Sequence, residues 1–300
     1  MSATQSPSMG FLGVLLLAGL APETEPPARL RERFEEEVRR IATNVDGVLG
    51  VAIRDLTTLE SYSIEGDTLF TQASAIKLPI LVELFRQAEE EALSLDQDVT
   101  VGSSDIAPGS GVLQQLTPGR VTMPLRDIAT LMVTVSDNTA TNLIIERVGM
   151  ENVNRTMARL GLHQTRLQRK MMDAKAWAEN RENLSTPNEQ ADLLQAIHEG
   201  KILGDESRKQ LLDILAIPKS SRIRPLLPAG TRVAHKTGSL AGVVVDVGII
   251  YLKDRPFIVA AMGNWLQDEA ECERAISEIA LGAYEYFDRL AHSNAYGHRR

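Results

Sequence analysis

Apolar residues recur along this chain with two different periods, and the order of those periods predicts the fold. Near the start, Leu30, Phe34, Val38 and Ile41 repeat at the three-to-four-residue spacing of one helix face. Two strand-like runs follow, helical patterns then occupy the middle of the chain, and strand-like runs return before a final amphipathic helix. After the first helix, these segments are 48–53, 60–64, 123–160, 188–217, 232–238, 243–251, 256–262 and 269–290.

Strands at both ends of the chain, with helices between them, predict an α/β (α+β) fold. The connections between the strands are short, which favours antiparallel pairing. The expected architecture is an antiparallel sheet built from both ends of the chain, flanked by helices and packed against an all-α domain. We expect a signal-like segment and linker at 1–27, a discontinuous α/β domain at 28–68 and 217–296, and the all-α domain at 69–216.

The most apolar run, residues 10–21, is too short to span a bilayer but matches the apolar core of a secretory signal. No Lys or Arg precedes it, and Pro22 directly after it is a poor context for cleavage. We expect an exported protein, periplasmic or secreted, with no stable membrane insertion of the mature domain. A cytoplasmic location is the alternative if the segment is not processed.

Composition narrows the possible partners. The chain has 300 residues, 43% of them apolar, and a net charge of -8, which suits a soluble protein with a real core and argues against nucleic-acid binding. The single cysteine, Cys272, cannot form an internal disulfide and is expected to be a buried thiol. The five histidines lack metal-ligand spacing. We therefore expect no metal, no cofactor and a monomer.

Ser74 and Lys77 lie three residues apart, where an apolar helical run begins. This spacing puts both side chains on one face of a helix, one turn apart. The first helical turn also has unpaired N–H groups and favours negative charge, which suits a nucleophile whose attack creates an oxyanion. Alone, the pair is more typical of a helix cap followed by a surface lysine.

Two further motifs favour the catalytic interpretation. Ser136-Asp137-Asn138 begins 62 residues after Ser74, and Lys236-Thr237-Gly238 begins 162 residues after it. The pair Ser74 and Lys77 opens a helix, the motif at 136–138 lies between helices and the motif at 236–238 lies on a strand. In this order the motifs resemble those of class A β-lactamases and penicillin-binding proteins. Stretches at 165–167, 185–187 and 227–230 are also similar to class A enzymes.

The resemblance implies a fold in which an α/β domain made of both termini packs on an all-α domain, with the site between them. It implies that Ser74 is the acylated nucleophile and that Lys77 is a candidate base. It also implies that Ser136 passes a proton to the leaving nitrogen and that Lys236 keeps the site cationic.

The resemblance also implies a set of substrate contacts. Asn138 would bind a substrate amide, and the Thr237-Gly238-Ser239 stretch would bind the substrate along the strand. The Thr237 and Ser239 hydroxyls, with Lys236, suit a substrate carboxylate. The backbone N–H groups of Ser74 and Ser239 would form the oxyanion hole.

Family members usually add an arginine for that carboxylate. The strand position most often used corresponds to Val247 here, whereas Arg222 matches an alternative location of the arginine. A solvated loop charge is the other interpretation of Arg222.

The chain departs from the family in the long loop. Class A β-lactamases carry there a Glu, and an Asn four residues later, that hold the hydrolytic water. Here these positions fall on Met171 and Lys175, and methionine cannot act as a base. A slipped register would make Asp173 a possible deacylation group, with Glu179 and Glu182 as remoter candidates. A surface or loop-bracing role is the other interpretation of these carboxylates.

The same loop usually contains an Arg–Asp pair. Here the arginine is Arg169 and the aspartate position is Asn183. We expect a neutral hydrogen bond in place of that ion pair.

These features favour a class A-like serine hydrolase that hydrolyses the β-lactam amide through an acyl-enzyme on Ser74. The missing base in the long loop indicates slow deacylation. The first alternative is a penicillin-binding protein that acts as a D-alanyl-D-alanine carboxypeptidase, or a general ester or amide hydrolase. The second is a non-catalytic β-lactam or peptidoglycan sensor. The expected substrate is thus a β-lactam or a D-alanyl peptide.

Overall fold

The computed structural model describes residues 26–294 and 296–299, so the signal-like run at 10–21 lies outside the described residues. Within that part of the chain, none of the helices has the length and apolar character of a membrane span. In chain order, the helices and strands are α1 (Pro26–Thr43), β1 (Val48–Asp55), β2 (Ser61–Ile64), β3 (Phe70–Thr71), α2 (Lys77–Glu89), β4 (Asp98–Thr100), β5 (Thr122–Pro124), α3 (Leu125–Thr134), α4 (Asn138–Val148), α5 (Met150–Arg159), α6 (Ala174–Ala178), β6 (Leu184–Ser185), α7 (Pro187–His198), α8 (Asp205–Ala216), β7 (Val233–Leu240), β8 (Val243–Ile250), β9 (Phe257–Asn264) and α9 (Glu269–Ala291).

Five antiparallel strands from both ends of the chain form the main sheet, in the order β2-β1-β9-β8-β7. The predicted sheet is therefore confirmed. β1 pairs with β9 along its whole length, from Val48 opposite Asn264 to Asp55 opposite Phe257. β7 is an edge strand of this sheet, so only one of its sides pairs with another strand.

Both faces of the sheet are covered. Successive strand residues point to opposite faces, so Val51 and Ala52 belong to different apolar clusters. The cluster on the Val51 side includes α1 and α9, where Phe34 stacks on Tyr286 with 4.4 Å between ring centroids. The cluster on the Ala52 side surrounds α2.

Helix α2 lies at the centre of the helical part. It contacts α3, α4, α5 and α8, and Ile80, Leu81 and Leu84 are fully buried. Pro79 lies in the first turn of the helix, where its missing N–H costs little. A helix buried on so much of its surface is a rigid support for any side chain at its N-terminal end.

The helical middle of the chain is divided more finely than predicted. The run at 123–160 forms α3, α4 and α5, and the run at 188–217 forms α7 and α8. Gly200 separates the last two with a φ of +70°, which ends a right-handed helix. The predicted domain boundaries stay a prediction.

Candidate active site

Ser74 lies in a turn of 3₁₀-helix that leads directly into α2. The preceding Ala73 has a φ of +46°, a left-handed conformation that residues with a side chain seldom adopt. Before it, the Gln72 N–H donates to the Asn183 carbonyl at 2.9 Å, which ties the turn to the end of the long loop. The prediction that the serine precedes the buried helix is confirmed, although the α-helical part begins three residues later.

The Lys77 amine lies among four oxygen atoms. Its Nζ is 3.1 Å from Ser74 Oγ and 3.0 Å from Ser136 Oγ. It is also 2.6 Å from the Ser136 carbonyl and 3.0 Å from Asn138 Oδ1. Carbonyl oxygens can only accept, so these two hold two N–H bonds of the amine. In the neutral amine the lone pair is then left for the hydroxyls, where it can take the Ser74 proton.

Burial holds the pKa of Lys77 well below its usual value, and the positive charge of Lys236 lowers it further, while Asp137 raises it. The Lys77 side chain is fully buried. A neutral amine beside a hydroxyl is the arrangement that general-base activation of a serine requires.

Lys236 approaches the same cluster from β7. Its Nζ donates to the Thr237 carbonyl at 2.7 Å and lies 3.3 Å from Ser136 Oγ. Burial, followed by the charge of Lys219, lowers the pKa of Lys236 to about 7, although Asp246 acts in the opposite direction. The Ser136 hydroxyl therefore lies between two amines and can pass a proton.

The turn between α3 and α4 presents Ser136 and Asn138. Ser136 has a φ of +54°, and strained backbone of this kind persists only where its surroundings fix it. Here the Asp137 carboxylate accepts from the N–H groups of residues 112 and 113 at 2.7 and 2.8 Å. Asn138 Nδ2 donates to the Pro108 carbonyl at 2.9 Å, which turns its Oδ1 towards the Lys77 amine.

β7 passes very close to the turn that carries Ser74. A Cβ atom at Gly238 would lie 2.5 Å from the Gln72 carbonyl oxygen and 3.0 Å from the Ser74 nitrogen. Only glycine permits such an approach. The approach brings Thr237 and Ser239 alongside the serine.

Arg222 reaches these strand residues from the segment before β7. Its Nη2 donates to Ser239 Oγ at 2.8 Å, and its Nε donates to Glu273 Oε1 at 2.9 Å. The side chain is only 14% exposed, so it is not a solvated loop charge. Val247, in contrast, is fully buried in the cluster around α2.

A cavity of about 240 Å³ opens in front of Ser74. Asn138 and Ser239 line it, and the long loop contributes Met171, Met172 and Glu182, with other residues, to its wall. The cavity therefore connects Ser74, Asn138 and the residue that follows the third motif, Ser239, with the loop in which this chain departs from the expected pattern.

A sequence model described as the beta-lactamase enzyme family matches residues 33–287. The chain belongs to this family. A β-lactamase from Sphaerobacter thermophilus is 33% identical with a TM-score of 0.79, over 84% of this chain and 97% of that chain. PBP-A is 30% identical with a TM-score of 0.77, over 85% of this chain and 96% of that chain. A leucine-to-glutamate variant of PBP-A has been solved as an acyl-enzyme complex with penicillin G.

The extended-spectrum β-lactamase PER-1 of Pseudomonas aeruginosa is 26% identical over 84% of this chain and 87% of its own length. Together these matches identify the fold as the β-lactamase/transpeptidase fold and the chain as a serine β-lactamase-type hydrolase of the class A kind.

In this member of the beta-lactamase family, the Asn142 amide fixes the Met171 backbone. Asn142 accepts from the Met171 N–H at 2.8 Å and donates to its carbonyl at 3.1 Å, so the thioether side chain turns into the cavity wall. Lys175 is exposed. Asp173 caps α6 by accepting from the Ala176 N–H at 2.9 Å. The structure thus does not bring Asp173 into the cavity lining with Ser74.

The brace of the long loop differs from the expected one. The Arg169 guanidinium pairs with Glu182, with 2.9 Å between Nη2 and Oε2. Asn183 instead accepts from the backbone N–H groups of Gln168 and Arg169 at 2.7 and 3.1 Å. The prediction of a neutral Arg169–Asn183 side-chain pair is therefore wrong, because a carboxylate one position earlier keeps the ion pair.

Sequence reasoning missed one buried residue beside the site, Asp246. It is the only charged side chain in β8, whose other residues are apolar or glycine. A buried charge in an otherwise apolar strand is the signal that identifies it, because such a charge needs partners.

Outside this cluster the described residues offer little other chemistry. Within residues 26–294 and 296–299, no group of three or more His, Cys, Asp or Glu is placed to hold a metal ion. Cys272 is fully buried, as predicted. Burial, with the charges of Glu273 and Glu271, raises the pKa of its thiol to about 12, so it stays protonated.

We expect Gly238→Ala to slow the acylation of Ser74 strongly and to lower the stability of the fold only moderately. The added methyl group would push β7 away from the turn. Misplacement by about 1 Å can cost on the order of 100-fold in rate, whereas overpacking costs about 1–3 kcal/mol of stability. The measurements are the rate of acylation by a penicillin and the thermal unfolding midpoint.

Gly282→Ala is the matched control. Gly282 lies on α9, and no atom outside the neighbouring backbone of that helix lies within 4 Å of the added methyl group, so this variant should keep the acylation rate and gain up to about 1 kcal/mol of stability. Equal acylation rates in the two variants would contradict the requirement for a close approach.

Proposed function

We propose that this hydrolase opens β-lactams through an acyl-enzyme on Ser74 and releases the product slowly. The observation that carries the proposal is a contrast beside Ser74: a base for acylation is present, and the usual base for deacylation is replaced by Met171. The Lys77 amine lies 3.1 Å from Ser74 Oγ and 3.0 Å from Ser136 Oγ, which suits acylation. Met171 lines the same cavity at the position where the family carries its deacylating glutamate.

In the acylation step, neutral Lys77 removes the proton of Ser74 as the serine oxygen bonds to the lactam carbonyl carbon. The oxyanion that forms is held by the N–H groups of Ser74 and Ser239. The C–N bond then breaks, and the departing nitrogen takes a proton from the Ser136 hydroxyl. Lys77 returns its proton to Ser136, which leaves an ester on Ser74.

The substrate carboxylate binds at a cationic subsite beside the nucleophile. This carboxylate subsite consists of the Thr237 and Ser239 hydroxyls, the Arg222 guanidinium and the Lys236 ammonium. Arg222 already donates to Ser239 Oγ at 2.8 Å, so its charge lies at the edge of the cavity. Asn138 and Gly238 complete the substrate-binding surface.

Deacylation requires a base that positions water against the ester. Met171 cannot supply one, and the Asp173 carboxylate is engaged at the start of α6. The Glu182 carboxylate lines the cavity but is paired with the Arg169 guanidinium. Water then attacks the ester without a positioned carboxylate, and it yields the free acid and regenerated Ser74. This chemistry supports slow turnover of a bulky penicilloyl group.

A second candidate function is that of a penicillin-binding protein with D-alanyl-D-alanine carboxypeptidase activity. Met171 favours it, as does the similarity to PBP-A over 85% of this chain. The smaller acyl group of a peptide leaves room for water to approach from another side. A non-catalytic sensor is less well supported, because Lys77, Ser136 and Lys236 are assembled around the Ser74 hydroxyl. Export and a monomeric state stay predictions.

Incubation with benzylpenicillin should add the mass of one penicillin to the intact protein, on the peptide that contains Ser74. Ser74→Ala should show no adduct. The lifetime of the adduct, followed by mass spectrometry, tests the slow release: the proposal expects a long-lived adduct that is hydrolysed to free penicilloic acid, whereas loss of the adduct within seconds would contradict slow release. Release of D-alanine from a D-alanyl-D-alanine peptide then identifies the peptidase. An unmodified parent protein would refute the proposal.

Met171→Glu should shorten that lifetime by on the order of 100-fold, the usual contribution of a positioned general base. Met171 is 8% exposed and its backbone is fixed by Asn142, so the new carboxylate would point into the cavity. The matched control is Met172→Glu, which adds the same charge at the neighbouring, 53% exposed position of the same wall. Equal lifetimes in both variants would speak against the family register of this loop.

Acylation should follow a bell-shaped pH profile. The rate rises with pH as Lys77 loses its proton, and it falls as Lys236, whose pKa is lowered to about 7, loses its charge. Lys236→Arg should move the alkaline limb upward, because a guanidinium stays charged to about pH 12. Lys219→Gln removes a neighbouring positive charge and should also move that limb upward. An alkaline limb that neither variant moves would rule out Lys236 as its source.

A further inference from the structure

Asp246 lies fully buried beneath the carboxylate subsite. It is on β8, directly opposite Thr237 of β7. An acid at this place is unexpected, because the subsite above it is built to attract an anion. Its negative charge must therefore be balanced by hydrogen-bond donors around the carboxylate.

Both oxygens of the Asp246 carboxylate are engaged. Oδ2 accepts from the Ser221 hydroxyl at 3.0 Å and from the Arg222 and Ile223 N–H groups at 2.7 and 3.1 Å. Oδ1 lies 2.8 Å from His235 Nδ1. An ionised carboxylate can only accept, so the His235 proton is on Nδ1.

These contacts keep Asp246 ionised. Burial alone would raise the pKa of its carboxyl, but His235 and the N–H groups of Arg222 and Ile223 outweigh burial and hold that pKa at about 2. The carboxylate therefore remains a full negative charge that four donors share, and that charge also raises the pKa of Lys236 against the effect of burial.

Three of these four donors, the Ser221 hydroxyl and the N–H groups of Arg222 and Ile223, belong to one segment of the chain. This segment connects α8 to β7 without helix or strand of its own, so its conformation depends on side-chain contacts. Asp246 binds the Arg222 N–H, and the Ser277 hydroxyl donates to the Arg222 carbonyl at 2.7 Å. With its backbone fixed on both sides, Arg222 extends its guanidinium to Ser239 Oγ.

We propose that Asp246 is a positioning residue for carboxylate recognition, and that it acts by fixing the backbone of Arg222. This role rests on the proposed function, because it requires an anionic substrate at the carboxylate subsite. Asp246 does not touch the substrate. It sets which acyl donors the enzyme prefers, not whether Ser74 reacts.

Asp246→Asn tests this role with benzylpenicillin and its methyl ester, which lacks the negative charge. An amide oxygen is uncharged, so its hydrogen bonds to the Ser221 hydroxyl and to the Arg222 and Ile223 N–H groups are weaker than those of the carboxylate, whichever tautomer His235 adopts. We expect the second-order rate of Ser74 acylation by benzylpenicillin to fall by about tenfold or more. The rate with the methyl ester should change little. Equal losses with both probes, or no loss with either, would overturn the role.

Arg222→Ala completes a double-mutant cycle. If Asp246 acts through Arg222, Asp246→Asn should cause no further loss of discrimination between the two probes once Arg222 is absent. Additive losses would overturn the proposed route. Asp55→Asn is the matched control, because Asp55 is an equally buried acceptor on β1 that binds Arg255, and it should leave discrimination unchanged.

Ser221→Ala provides the comparison if Asp246→Asn does not fold. It removes one of the four donors and should cause a smaller loss that is again selective for benzylpenicillin; an unselective loss would count against the role. A parent protein that neither probe acylates would overturn the proposed function together with this role. A parent that is acylated normally, with an unselective Asp246→Asn, would overturn this role alone.

Discussion

The buried Lys77 amine is the constraint on which the rest of the site depends. An amine in an apolar interior is stable only if its N–H bonds have acceptors, and here those acceptors are the Ser136 carbonyl and Asn138 Oδ1. Ser136 has a left-handed backbone conformation, and its hydroxyl lies within reach of the same amine. The turn that supplies hydrogen-bond acceptors to the Lys77 amine thus also places the Ser136 hydroxyl in the site.

The periodicity of the sequence predicted the sheet and the central helix, and the family resemblance implied that the three motifs meet in one site. Neither predicted the Arg169–Glu182 pair or the contacts of Asp246. Such contacts join side chains to partners distant in the chain, and no local period marks them. The role of Arg222 stayed open for the same reason, since its environment is set by Ser239 and by a helix at the far end of the chain.

The long loop shows how a family scaffold separates two halves of one reaction. In the proposed mechanism, formation of the ester uses groups from the helical part and from β7, whereas the base for its hydrolysis would come from the loop. Asn142 holds the loop backbone at Met171 as firmly as a catalytic residue would need. The loop backbone is therefore fixed at Met171, but the side chain there cannot act as a base. The groups proposed for acylation are present, whereas the usual base for deacylation is missing from this position.

The pairing of β1 with β9 has a consequence for how the chain folds. β9 lies in the middle of the sheet and is its last strand in the sequence. Until it is available, the N-terminal hairpin has no neighbour, and an isolated hairpin is barely stable in water. Contacts between residues so far apart in sequence also form slowly. The active-site strand β7 thus joins a complete sheet only when β9 is present, so a chain truncated before β9 would carry every motif and still lack the assembled sheet.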